Sequence, residues 1–217
     1  MTQATSTNLP MSRNRFQAFL VAALLLNAGF CAPKAVDAND LQWGHWRGPT
    51  GNGESTTATP PKEFSPEKNC RWKQAIPGRG SSSPVIWNDL VFVTTAIPVS
   101  DGRGTLDFRL LCFDRETGKK QWDHSCIKAI PHEGTHSTNG YASASPCTNG
   151  QYVYAHFGSQ GLYCLTMTGK PVWDKDFGEM HTRNEFGEGS SPTLVDDKIV
   201  IPWDHEGPSR LFCLNAE

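Results

Sequence analysis

Apolar and polar positions along this chain come in short runs bounded by turn residues, with no sustained helical spacing. The runs LVFVTTA (90–96), YVYAHFG (152–158) and KIVIPW (198–203) are rich in β-branched and aromatic residues, the composition of strands. Each follows a turn pair, Asn88-Asp89, Asn149-Gly150 or Asp196-Asp197, and each pair follows a shorter run that opens on Ser-Pro. The pattern predicts a hairpin at each place. A third strand is expected at 110–114 and again at 162–166. Thr117-Gly118 and Thr168-Gly169 then supply turns in which glycine takes positive φ, ahead of a fourth strand bearing Trp122 or Trp173.

The segments repeat. Ser83-Pro84, Ser145-Pro146 and Ser191-Pro192 recur at spacings of 62 and 46, and Trp72, Trp122 and Trp173 at 50 and 51. Four antiparallel strands per unit of about 45–50 residues is a propeller blade, so the expected fold is all-β, a β-propeller of four-stranded antiparallel blades. The expected divisions are an entry segment at 39–70, a closing strand at 71–77, blades at 81–126 and 141–177, and an incomplete blade at 189–217. Cys112, Cys164 and Cys213 hold the same place in successive units, so they read as buried small apolar residues beyond mutual disulfide reach. Cys126 and Cys147 are the pair worth testing for a bridge.

The segments DRETGKKQW (114–122) and TGKPVW (168–173), with the opening WGHWRGP (43–49), resemble the secreted β-propellers with pyrroloquinoline-quinone-like repeats of planctomycete type. More distantly they resemble quinoprotein alcohol dehydrogenases and an outer-membrane assembly propeller. The resemblance runs over about residues 41–217, with Asp114, Gly118, Gly169 and the three tryptophans as structural repeat positions. Thr166 departs from it by standing where the repeat has aspartate, and the third unit reaches Glu217 before its Thr-Gly turn. The resemblance implies typically seven or eight blades, so the chain reads as an incomplete, N-terminal part of a propeller that needs further blades or self-association to close. It implies either a non-catalytic scaffold that binds a protein or polymer, or a quinoprotein-like oxidoreductase using pyrroloquinoline quinone and calcium. The chain lacks the adjacent Cys-Cys pair of those dehydrogenases, and no residue is assigned as catalytic.

Composition adds an export signal. Arg13 and Arg15 precede the apolar stretch 16–30, and Val36-Asp37-Ala38 has the small residues that a signal peptidase reads. We read residues 1–38 as a cleaved signal peptide, with Met1 or Met11 as the start, and expect a periplasmic or extracellular protein. A membrane anchor and a lipoprotein built on Cys31 are the alternatives. Without residues 1–38 the chain has 17 basic and 21 acidic residues, a net charge of −4 that argues against a nucleic-acid partner.

One motif points elsewhere. His132-Glu133-Gly134-Thr135-His136 spells HExxH, which binds zinc in metalloproteases when a helix puts both imidazoles on one face. Pro131, Gly134 and the following STNG oppose a helix, so a zinc protease is rejected and no metal ligand is assigned. The stretch reads as an inter-blade loop. There, His136, Asn139, Tyr141 and Ser143 fit the resembling family's His-x-x-Asn-x-Tyr-Ala-Ser arrangement, which implies a ligand or partner contact. The alternative is that Asn139 and Ser143 hold the turn while Tyr141 packs. Asp204, His205 and Glu206 form a second candidate cluster after the strand KIVIPW. His181, Arg183, Asn184 and Glu185 lie in the next inter-blade loop, at the position matching His132–Asn139, so the two loops offer a cation or anion site.

Overall fold

The computed structural model describes residues 42–55 and 57–217; the expected signal peptide lies outside them. Strands β1 (Val85–Trp87), β2 (Leu90–Pro98), β3 (Leu106–Asp114) and β4 (Lys120–Ala129) form the first antiparallel sheet. Strands β5 (Cys147–Thr148), β6 (Tyr152–His156), β7 (Leu162–Thr166) and β8 (Pro171–Lys175) form the second. The third holds β9 (Thr193–Val195), β10 (Lys198–Trp203) and β11 (Arg210–Asn215). Each is a meander, the topology of a propeller blade, and the three make part of a propeller.

The turn pairs close the first hairpins as their chemistry requires. Trp87 pairs with Leu90 across Asn88-Asp89. Asn88, Gly150 and Asp196 take positive φ, a region open to glycine and tolerated by Asn and Asp. The first blade is longer than the periodicity predicts, because β2 runs on to Pro98 and β3 begins at Leu106. In the second hairpin turns, Asp114 Oδ1 accepts from the backbone N–H of Thr117 at 2.7 Å and from its hydroxyl at 2.7 Å. Thr166 makes a looser version, accepting from the Lys170 N–H at 3.1 Å.

Sheet-to-sheet packing explains the repeat positions. Val85, Phe92, Phe108, Leu110 and Cys112 of the first sheet pack against Val153, Ala155 and Leu165 of the second. Cys147, Tyr154, Leu162 and Cys164 pack against Ile199, Ile201 and Trp203 of the third. Both faces of a middle blade are therefore apolar, which is why its strands read as nearly continuous hydrophobic runs. Trp72 and Trp122 each dock on the following blade, whereas the buried Trp173 indole N–H has no partner among the described residues. The Trp72 indole donates to the Arg115 carbonyl at 2.8 Å and the Trp122 indole to the Met167 carbonyl at 3.0 Å. Glycine is required under both rings, since a Cβ at Gly118 lies 2.5 Å from Trp72 and one at Gly169 lies 2.7 Å from Trp122. A bulge just before each tryptophan, where the β3–β4 and β7–β8 registers shift, recurs at equivalent positions.

The Ser-Pro anchors form a ladder. The Ser83 N–H donates to the Ser145 hydroxyl at 2.8 Å, and the Ser145 N–H to the Ser191 hydroxyl at 3.0 Å. The opening motif crosses the first strands of all three sheets. The Trp43 N–H donates to the Ile86 carbonyl, the Thr148 N–H donates to the Gly44 carbonyl, and His45 Nε2 lies 3.3 Å from the Thr193 hydroxyl. Residues 71–77 form no ladder among the described residues, although Trp72 packs over Val91, Leu111 and Phe113.

One cysteine expectation needs correction, and the pair set aside for testing is resolved. Cys112 and Cys164 are buried, but Cys213 is exposed, because no strand or sheet among the described residues covers the outer side of β11. Cys126 and Cys147 are free thiols, as are the other four cysteines among the described residues. Burial pushes the Cys112, Cys126 and Cys164 thiols up to about 12, which leaves them inert.

Candidate functional site

Two inter-blade loops, 130–146 and 176–192, are bound together by side chains that the repeat itself does not need. Neither the HExxH segment nor its surroundings are helical, so His132 and His136 do not converge as a zincin pair. Instead Glu133 reaches across to the second loop. Its Oε1 accepts from the Thr182 N–H at 3.0 Å and from the Thr182 hydroxyl at 2.6 Å. Its Oε2 faces two imidazoles, with His181 Nδ1 at 3.6 Å and His132 Nε2 at 3.9 Å. Burial works to raise the Glu133 carboxyl, but the Thr182 bonds and the two histidines outweigh it and hold the group below its ordinary range.

Further contacts complete a rigid plate. The Gly134 N–H donates to Glu185 Oε2 at 3.0 Å, and the Asn139 side-chain amide donates to the Phe186 carbonyl at 3.0 Å. The His136 ring meets the Phe186 ring edge-on at 5.4 Å. The Tyr141 hydroxyl donates to the Glu133 carbonyl at 3.0 Å, and the Ser143 hydroxyl donates to the Gly140 carbonyl at 2.7 Å and bonds Asn139 Oδ1. The four residues expected to meet a ligand thus sit in one loop, with these polar groups bonded inside the plate. Phe186 remains 53% exposed and Ile130 55%, so the plate presents apolar side chains over a fixed polar base.

The second candidate cluster lies beside the same plate. The Glu206 N–H donates to the His181 carbonyl at 2.9 Å, and His205 Nδ1 accepts from the His181 N–H at 3.3 Å. Asp204 is exposed and accepts from the Ser209 hydroxyl at 2.5 Å. The two clusters therefore meet through His181, a residue that the matching loop positions had placed but not connected.

Below the plate lies a cavity of about 30 Å³, lined among others by His132, Glu133, Tyr141, Ser143, Ser159 and Glu188. Glu188 was missed in the sequence. Its carboxylate accepts from the Ser159 N–H at 2.6 Å and the Ser159 hydroxyl at 2.5 Å, and burial pushes its pKa up despite those bonds. The available signal was positional: three residues before the repeat's Ser-Pro serine, Gly80 and Ala142 are replaced by this carboxylate. Gly158 makes room for it, since a Cβ there falls 1.4 Å from Glu188 Oε2.

The resembling dehydrogenases imply a quinone and calcium, and the hollows beside the loops do not supply a site for both: those of about 450 and 340 Å³ are lined by Arg79 but by no carboxylate. The cavity below the plate is water-sized, far below the ~300 Å³ of a small-molecule site. The wider hollow between the Ser-Pro strands, about 510 Å³, is lined by Trp46, six serines and other neutral residues. It offers no cation to a tricarboxylate quinone and no carboxylate to calcium. No step is routed through either group.

No curated protein matches the chain. Among solved structures, a europium-containing methanol dehydrogenase matches at 12% identity and a TM-score of 0.51, covering 81% of this chain and 30% of its own. A quinohemoprotein alcohol dehydrogenase from Pseudomonas putida matches at 16% identity and a TM-score of 0.47, covering 84% and 26%. BamB from Moraxella catarrhalis matches at 13% identity and a TM-score of 0.32, covering 56% and 39%. The chain thus spans well under half the length of each, and the first likeness is one of fold. Residues 38–217 match a family model over the length of all three sheets, and by that match the chain belongs to the family described as outer membrane protein assembly factor BamB.

Proposed function

We propose that this chain supplies blades to an exported, non-catalytic β-propeller that acts as a binding or assembly scaffold in the periplasm or outside the cell. The observation that carries the reading is the cross-bonded plate of loops 130–146 and 176–192. Polar side chains across it bond one another, and it holds Phe186 and Ile130 outward beside the exposed His181, Arg183 and Asn184. Apolar anchors on a pre-organised base favour protein association, because few rotamers are left to freeze on binding. The family description, an outer membrane assembly factor, agrees with a protein partner. His136, Asn139, Tyr141 and Ser143 then contribute by holding the plate's shape, with Asp204, His205 and Glu206 on its flank. The exported location rests on the basic and apolar pattern of residues 13–38.

Titration of the purified chain with pyrroloquinoline quinone and calcium tests this against the oxidoreductase reading. The scaffold reading expects an unshifted quinone spectrum and no alcohol-dependent dye reduction. A shifted spectrum with dye reduction would replace it by the quinoprotein one.

A further inference from the structure

We infer that His132, Glu133 and His181 form a zinc-class metal site that clips the loops of two successive blades. One donor atom from each lies within 4.8 Å of the others. Glu133 Oε2 is 3.9 Å from His132 Nε2 and 3.6 Å from His181 Nδ1. A tetrahedral zinc ion with bonds of about 2.0–2.1 Å sets its ligands roughly 3.3 Å apart, so the two separations from Glu133 need to close by only a few tenths of an ångström, while the two imidazoles, within 4.8 Å of each other, close by rotation of the exposed His181 ring. Two imidazoles and a carboxylate suit zinc or a neighbouring divalent transition metal over calcium or magnesium, which take oxygen donors.

The supporting contacts are already in place. Glu133 uses Oε1 for the Thr182 N–H and hydroxyl, which fixes the carboxylate plane and leaves Oε2 for the metal. Thr182 adjoins His181, so one dipeptide supplies a ligand and orients another, the arrangement that metal sites use to fix ligand geometry. The His181 backbone is held on both sides, its N–H by His205 Nδ1 and its carbonyl by the Glu206 N–H.

His132 carries the larger rearrangement. Its Nε2 lies 2.7 Å from the Met180 carbonyl, an acceptor, so Nε2 holds the ring proton while Nδ1 is buried without a partner. Ligation by Nε2 moves that proton to Nδ1. His132 lines the polar cavity, which has room for a water to accept it. Ligation also requires the imidazole to turn so that Nε2 leaves the Met180 carbonyl, which now lies 2.7 Å away where the metal would stand, and the fourth position on the metal is left to a water. The site uses the first two residues of HExxH and replaces its second histidine by one 49 positions from His132 on the next blade.

The test is calorimetric titration of the chelator-treated chain with zinc chloride, with melting temperature followed in parallel. One zinc per chain and a raised melting temperature are expected. His181→Ala removes an exposed ligand without disturbing the core, and Glu133→Gln keeps an acceptor for Thr182 while losing the ligand oxygen. Each is expected to weaken binding by at least about tenfold, since even outer-shell partners of a metal cost about 10–100-fold. His124→Ala, on β4 and outside both loops, should bind as the parent does. Absence of saturable binding in the parent, parent-like binding in both ligand variants, or an equal loss in His124→Ala would overturn the proposal.

Discussion

At the scale of single residues, the chain places its titratable groups where burial decides their charge. His156 is fully buried, gives its Nδ1 proton to the Ser190 carbonyl at 3.1 Å, and is boxed by the Phe177 and Trp203 rings. Its Nε2 has no partner, and burial pushes its pKa down to about 4. The neutral ring is the one that the fold tolerates, so its stabilising contribution is complete above the ordinary imidazole value of about 6.5 and is lost as pH falls toward 4. Melting temperature should therefore decline across that window, and His156→Asn, which keeps a donor but does not titrate there, should flatten the decline even if it lowers the plateau. A slope unchanged in the variant would assign acid sensitivity to other groups. Nothing in the sequence marked this histidine, because YVYAH reads alike whether its last residue faces solvent or another blade.

At the scale of elements, the hairpins were legible because their signals are local. Asn88-Asp89, Asn149-Gly150 and Asp196-Asp197 each name a turn, and the β-branched and aromatic runs beside them name strands. The reason for Thr-Gly and Trp at fixed spacing was not local, and it emerges only when one blade's indole lies on the next blade's turn. Gly169→Ala meets both constraints, a φ of +82° and a Cβ 2.7 Å from Trp122. A loss of roughly 1–3 kcal/mol is expected from backbone strain of this kind, to which displacement of the ring adds. Denaturant melts give the energy and Trp122 emission reports the ring, and a variant as stable as the parent would contradict the docking account. Glu188 stood out by position in the repeat, but its contact with Ser159, like the Glu133–His181 contact, was beyond sequence reading, because no periodicity specifies which loop side chains meet. The burial of Cys213 was misjudged because equivalence within the repeat does not supply the strand that covers it.

At the scale of the whole molecule, the three sheets share one packing rule, with both faces of the middle blade covered and the outer side of β11 open among the described residues. Leu211 of β11 is 68% exposed, and Val195 at the end of β9 is 52% exposed. Such a surface suits further blades, while the loop plate lies on a different part of the fold and is complete without them. The central claim is that this plate is where a protein partner sits. A photo-crosslinking residue in place of Phe186, expressed in the producing cells, tests it most directly, with the same probe at the exposed Lys119 as reference. The account predicts discrete protein adducts from position 186 that are absent from position 119 and that weaken when Asn139→Ala loosens the plate. No adduct at 186, or the same adducts at both positions, would contradict it.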